Sequence, residues 1–361
     1  MSKAAELAAL IGSQTALSNR NLIINGAMQV DQRNSGSSVS APHNTYTLDR
    51  LNTYQSGGGA YSVQQQTSVT PVGFGFAAKI NVDTIDSSIA AGDYYMLTYN
   101  FEGHDTAQLE FGTSSAKTVT LSFYVRSSLT GTFSGAINNN ASNRAYTFEY
   151  TIDSANTWER KTITVAGDQS GTWPGAVNTR SIKIRWALAM GSTYTNTAGS
   201  WAAGDYYGTS NQVNLMATLN NTFYITGVQL EVGEQATPFE HRSFGDELAR
   251  CRRYCQVFRS EDAQGAFVNL TGWDTNSAYG AMPLPVHMRA VPSFTRDVGN
   301  DDFLILSAGA SPTPTNVTTN GLHKDHIEVQ ISSDGNLVAG RSYWGRISDN
   351  TNGKITLAAE L

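Results

Sequence analysis

Apolar and polar side chains alternate in short runs along most of this 361-residue chain. Val119-Thr120-Leu121-Ser122-Phe123-Tyr124-Val125, Tyr146-Thr147-Phe148-Glu149-Tyr150, Lys161-Thr162-Ile163-Thr164-Val165 and Ser181-Ile182-Lys183-Ile184-Arg185-Trp186 are examples. A period of two marks strands with one buried face and one wet face. Turn clusters such as Gly57-Gly58-Gly59 and Asn138-Asn139-Asn140 separate the runs. No repeat of solenoid or propeller length occurs. The pattern predicts a mainly β chain with an antiparallel sandwich over residues 20–242.

Two segments depart from this rhythm. Ala4, Ala5, Leu7, Ala8, Ala9, Leu10 and Ile11 favour a short helix ended by Gly12, so residues 1–19 form an N-terminal helix and attachment segment. Further on, Ser243 is a good N-cap, Asp246 and Glu247 fill a first turn, and Arg250, Arg252, Arg253 and Arg259 follow. Phe244, Leu248, Cys251, Cys255 and Phe258 then make one apolar seam on a linking helix over 243–259. At i and i+4, the two cysteines read as small core residues rather than ligands.

Residues 260–361 return to strand signals and form a smaller C-terminal β domain. Ile327-Glu328-Val329-Gln330-Ile331 runs into Asp334-Gly335 and Leu337-Val338-Ala339, which predicts a hairpin. Ala310 to Asn316, with two prolines, reads as an exposed loop.

Composition narrows the function classes. Charged residues are 15% of the chain, aromatics 10%, and glycines number 33, which excludes both disorder and a helical bundle. The net charge of −6 and the lack of a long basic run exclude a nucleic-acid partner. No apolar stretch is long enough for membrane insertion. The first ten residues, with Lys3 and Glu6, are too short and charged for a secretory signal, so synthesis in the cytoplasm is expected.

Catalytic signatures are lacking. His323-Lys324-Asp325-His326 holds the one close histidine pair, at a spacing unlike that of metalloprotease helices. No nucleophile elbow, phosphate loop or dinucleotide fingerprint occurs. The reading is therefore no enzyme, no metal and no cofactor. What remains is aromatic chemistry. Trp158, Trp173, Trp201, Trp273 and Trp344 lie in or beside turn-rich segments, while Trp186 sits in an alternating strand and belongs in a core. Flat rings stack on sugar faces while amides and carboxylates bind hydroxyls, although a loop tryptophan also serves to lid a sandwich.

Three segments together carry a resemblance. They are Asn21-Leu22-Ile23-Ile24-Asn25-Gly26-Ala27-Met28-Gln29-Val30-Asp31-Gln32-Arg33 with Tyr46-Thr47-Leu48-Asp49-Arg50, then Val228-Gln229-Leu230-Glu231-Val232-Gly233 with Ala236 to Tyr254, and finally Pro285 to Pro292. In order and spacing they resemble bacteriophage virion proteins of the tail-fibre and receptor-binding type. Leu51, where that family usually has Trp, and Cys255, where it usually has Tyr, are departures that read as packing variants.

The resemblance implies a jelly roll like that of carbohydrate-binding modules, and a homotrimer on the phage particle surface. It would attach to other virion proteins through the N-terminal segment and adhere to a host surface glycan or polysaccharide. A purely structural fibre or decoration protein is the alternative, and a capsule depolymerase the third reading. Within the motifs, Arg33, Asp49, Arg50, Glu240 and Arg242 are expected to form a polar network tying sandwich to helix. Glycan contact is expected in the C-terminal domain at Trp273, Asp274, Asn276, Tyr279, Tyr343 and Trp344, because binding surfaces favour loops on a rigid scaffold.

Overall fold

In a computed structural model that describes residues 19–259, 266–297, 303–307, 312–347 and 353–361, the alternating runs become antiparallel strands. The chain divides into two compact units, residues 1–247 with Leu361, and residues 248–360. The helix expected at residues 4–11 lies outside the described residues.

The first unit is a jelly-roll sandwich of two sheets. One runs, in spatial order, Val39–Ser40, Ala60–Gln66, Ala77–Thr84, Thr222–Val232, Val119–Ser127 and Glu159–Val165. The other runs Trp201–Ala203, Arg144–Ile152, Gly131–Asn139, Arg180–Met190, Tyr94–Glu102, Leu51–Ser56 and Thr45–Leu48. Their facing sides interdigitate around Trp186, which is 1% exposed. The Phe123 ring lies 6.0 Å from Trp186 and 5.1 Å from Tyr150, edge to face in both cases. Each such ring contributes about 2–3 kcal/mol by leaving water.

The five polar network residues fall into two clusters. Arg33 lies 3.8 Å from Asp49, whose buried carboxylate also accepts from the backbone and side-chain nitrogens of Gln32. Arg50 donates to the Asn100 carbonyl and lies 5.2 Å over the Tyr99 ring. Separately, Glu240 accepts from the backbone nitrogens of Asn19 and Asn21. Arg242 donates to the carbonyls of Asn21 and Ile23 and lies 3.5 Å from Glu247. That second cluster pins residues 19–25 to the first turn of the helix.

The helix is shorter than the seam predicts, spanning Phe244–Arg252. Ser243 caps it, its Oγ accepting from the Asp246 nitrogen at 3.2 Å. Cys255 is not on it: Cys255–Arg259 is a strand paired with Lys354–Ala358. A complete ladder with that strand outweighs a helical extension that Tyr254, Val257 and Phe258 favour weakly. Both cysteines are nevertheless buried, and neither forms a disulfide.

The second unit packs this three-stranded sheet, Cys255–Arg259, Lys354–Ala358 and Ser293–Asp297, into one core with a six-stranded sheet. Two local expectations fail. Asp334-Gly335 does not turn a hairpin, because His326–Ser333 is already paired on both sides, with Ser277–Pro283 and Pro314–Leu322. Residues 337–339 therefore have no edge to join. Pro314 to Asn316 belong to a strand rather than a loop, with Pro314 buried opposite Ser333 at a sheet edge that tolerates proline. Asn138 and Asn139 end a strand, and the Asn139 carbonyl accepts from the Ser142 nitrogen in the turn that follows, so this cluster does separate two strands.

Candidate functional site

The six-stranded sheet of the second unit runs Phe303–Leu306, Ser342–Ile347, Ala266–Gly272, Ser277–Pro283, His326–Ser333 and Pro314–Leu322. Alternation assigns its two faces. Val268, Leu270, Ala278, Met282, Phe303, Ile305, Ile327, Val329, Ile331 and Tyr343 point into the core. The residues between them point the other way. Register then builds rows on this outer face: Leu306, Trp344 and Asn269 lie side by side, and so do Ser342, Thr271, Tyr279, Gln330 and Thr318.

Trp344 is 60% exposed, and with Leu306, Ser307 and Ser342 it lines an open recess of about 540 Å³. Trp273 is 74% exposed and meets Tyr279 edge-on, ring centroids 6.2 Å apart. Rings, hydroxyls and amides thus share one wet face.

The other expected contacts divide. Asp274 Oδ1 accepts from the backbone nitrogens of Asn276 and Ser277 at 2.7 Å each, which shapes the turn that presents Trp273. Asn276 has an exposed side chain, while its carbonyl accepts from Ser333. Tyr343 is 1% exposed, its hydroxyl accepting from the Val338 nitrogen, so its ring offers no face to a ligand. Strict alternation already forbids neighbouring Tyr343 and Trp344 from sharing a face. Asn269, Thr271, Gln330, Ser342 and Leu306 were missed because only strand register brings them to the tryptophan.

Two of the sandwich tryptophans, Trp173 and Trp201, are lids. Trp173 and Trp201 pack on Phe111 and on each other, centroids 5.1–5.8 Å apart. Their indole nitrogens are occupied, Trp201 by the Ala166 carbonyl and Trp173 by Asp168 and Ser170.

A second polar surface lies on the outer face of the seven-stranded sheet, and it is covered. Segment 191–212 crosses it. Arg185 sits 4.0 Å from the Tyr207 ring, donates to Asn138 at 2.9 Å and lies 3.4 Å from Asp205. Tyr207 stacks on Tyr194 at 4.6 Å and donates to Asp205. Next to this, Lys183 is buried with Nζ bonded to the Asn140 carbonyl and Ser142 Oγ. Burial, and then the Arg185 and Arg180 charges, push its ammonium down to about 7. What stays open is a ring-free recess of about 510 Å³ lined by Glu149, Thr195, Asn196, Thr197, Thr209 and Asn211, among others.

No family model matches this chain, and no curated protein does. Among solved structures it is similar to the enzymatically active domain of bacteriophage CBA120 tailspike protein 4, at 12% identity and TM-score 0.34, over 59% of this chain and 22% of that one. A family 4 carbohydrate-binding module matches at 14% identity and TM-score 0.28, over 58% of this chain and 98% of the module. A family 11 module from Clostridium thermocellum, in complex with a β-1,3-1,4-mixed-linked tetrasaccharide, matches at 12% and 0.29, over 55% and 95%. These are distant, partial likenesses of a jelly roll. The architecture rests on the sheet topology itself.

Proposed function

We propose that this protein is a non-enzymatic phage surface protein that adheres to a host glycan, through the outer face of the six-stranded sheet. One observation carries the reading: Trp344 and Trp273 are 60% and 74% exposed on a face that also presents Asn269, Thr271, Tyr279, Gln330 and Ser342. Stacking on a pyranose and hydrogen bonds to its hydroxyls are both available there. The sandwich serves as scaffold, and the sequence resemblance supports a homotrimer that attaches through the N-terminal segment.

The test uses the full chain and surface polysaccharides prepared from host cells. Binding without release of oligosaccharide is expected, with at least a tenfold loss of affinity in Trp344→Ala and Trp273→Ala variants of unchanged circular dichroism. Wild-type binding kept by both variants would sink the site. The structural alternative draws on the apolar strip Leu304, Leu306 and Trp344, an apolar patch of the kind that copies of a chain bury against one another. It requires a trimer by light scattering whose Trp344 is shielded from a soluble quencher, with no polysaccharide bound.

A further inference from the structure

His323, Lys324, Asp325 and His326 make the tight connection between strands Pro314–Leu322 and His326–Ser333. The His323 nitrogen donates to the His326 carbonyl at 3.0 Å, which closes the turn and makes the two histidines cross-strand neighbours. Their rings lie 4.3 Å apart and almost parallel. Glu328 follows His326 by two residues, hence on the same face, with Oε1 4.0 Å from His323 Nε2. One ligand atom from each of the three lies within 4.8 Å of the other two.

Two further features give the cluster direction. Asp325 Oδ1 is 2.9 Å from His326 Nδ1. A carboxylate can only accept there, so the proton sits on Nδ1 and Nε2 is left as the ring's lone-pair nitrogen, the arrangement that carboxylates impose behind metal-bound imidazoles. Gly321 stands opposite Glu328 in the ladder. A Cβ there would fall 2.8 Å from Glu328 Oε2 and 3.0 Å from His323 Nε2. Its φ lies outside the left-handed region, so the ligand atoms, not the backbone, call for the missing side chain.

We infer that His323, His326 and Glu328 bind a divalent first-row transition metal, with zinc the best match to two imidazoles and a carboxylate. Asp325 orients His326, and Gly321 leaves the cradle clear. Ligands about 2.1 Å from a tetrahedral ion are about 3.4 Å apart. Side-chain rotation alone can close the present separation, because these side chains are 48%, 36% and 52% exposed. A bound ion clips together the last two strands of the sheet at an edge that would otherwise fray.

The experiment is calorimetric titration of the full chain with zinc chloride alone, paired with the visible absorption of the cobalt-loaded protein. One ion per chain at micromolar affinity and a tetrahedral cobalt spectrum are expected. His326→Ala should lose at least a hundredfold, and Asp325→Asn and Gly321→Ala about tenfold each. His287→Ala, which alters an exposed histidine close to Asp325, should bind as wild type. Failure of the wild type to bind below millimolar zinc overturns the site. So does a His326→Ala variant, or a Glu328→Gln variant, that binds unchanged.

Discussion

Two outward sheet faces, that of the seven-stranded sheet in the first unit and that of the six-stranded sheet in the second, follow the same alternation and carry polar and aromatic side chains, yet one is roofed and the other open. Over the seven-stranded sheet, Asp205 and Tyr207 engage Arg185, Gln212 engages Ser134 and Tyr194 stacks on Tyr207, and the charges beneath lose water. Over the six-stranded sheet, Trp344 and Trp273 keep most of their surface wet. Polar and aromatic composition alone therefore does not mark a binding surface. A covered face works for stability and shifted protonation, whereas an uncovered one leaves its rings and polar groups accessible.

The sharpest way to break this contrast is Arg185→Ala. It removes the cation that ties Asn138 in the sheet to Tyr207 and Asp205 in the covering segment, and a loss of about 2–3 kcal/mol in urea unfolding is expected. An unchanged midpoint would mean that segment 191–212 does not close the face.

Lys183→Met should act more gently and with a definite pH profile. In the unfolded chain Lys183 holds its proton up to its ordinary value of 10.5, whereas the folded chain releases it at about 7. The unfolded state thus binds more protons between those values, so this group's contribution rises with pH across that window. Below pH 7 both states are charged and the full cost of burying the ammonium stands. The methionine variant should gain roughly 1–2 kcal/mol over wild type at pH 6, the margin vanishing towards pH 10. Parallel stability curves would refute a buried, depressed lysine.

Trp344→Ala should have the smallest effect on folding, less than about 0.5 kcal/mol, because the ring already lies in water. A loss above about 1 kcal/mol in thermal unfolding would show that this face too is covered.

Strand existence was legible because period-two alternation is local. Lys161 to Val165 falls within Glu159–Val165, and Ser181 to Trp186 within Arg180–Met190 with Trp186 in the core. Helix initiation at Ser243 was equally local, resting on one hydroxyl and one backbone nitrogen. Termination was not, since Arg252 is followed by a strand whose partner, Lys354–Ala358, lies far along the chain. The Asp334-Gly335 signal failed likewise, because the preceding strand Pro314–Leu322 and the remote strand Ser277–Pro283 had already claimed both edges of its neighbour. The candidate site was half legible. Exposed tryptophans could be named, but which residues flank them depends on register between distant segments.

The pairing of Cys255–Arg259 with Lys354–Ala358 also sets an order of events in biosynthesis. The central strand of the three-stranded sheet is supplied last, with Ser293–Asp297 waiting on its other side. Closure of the second unit is therefore a long-range step with a high loop-entropy cost. Until the ribosome has delivered residue 358, Ile355 and Leu357 cannot cap the core, and the nascent unit keeps its apolar interior accessible to chaperones.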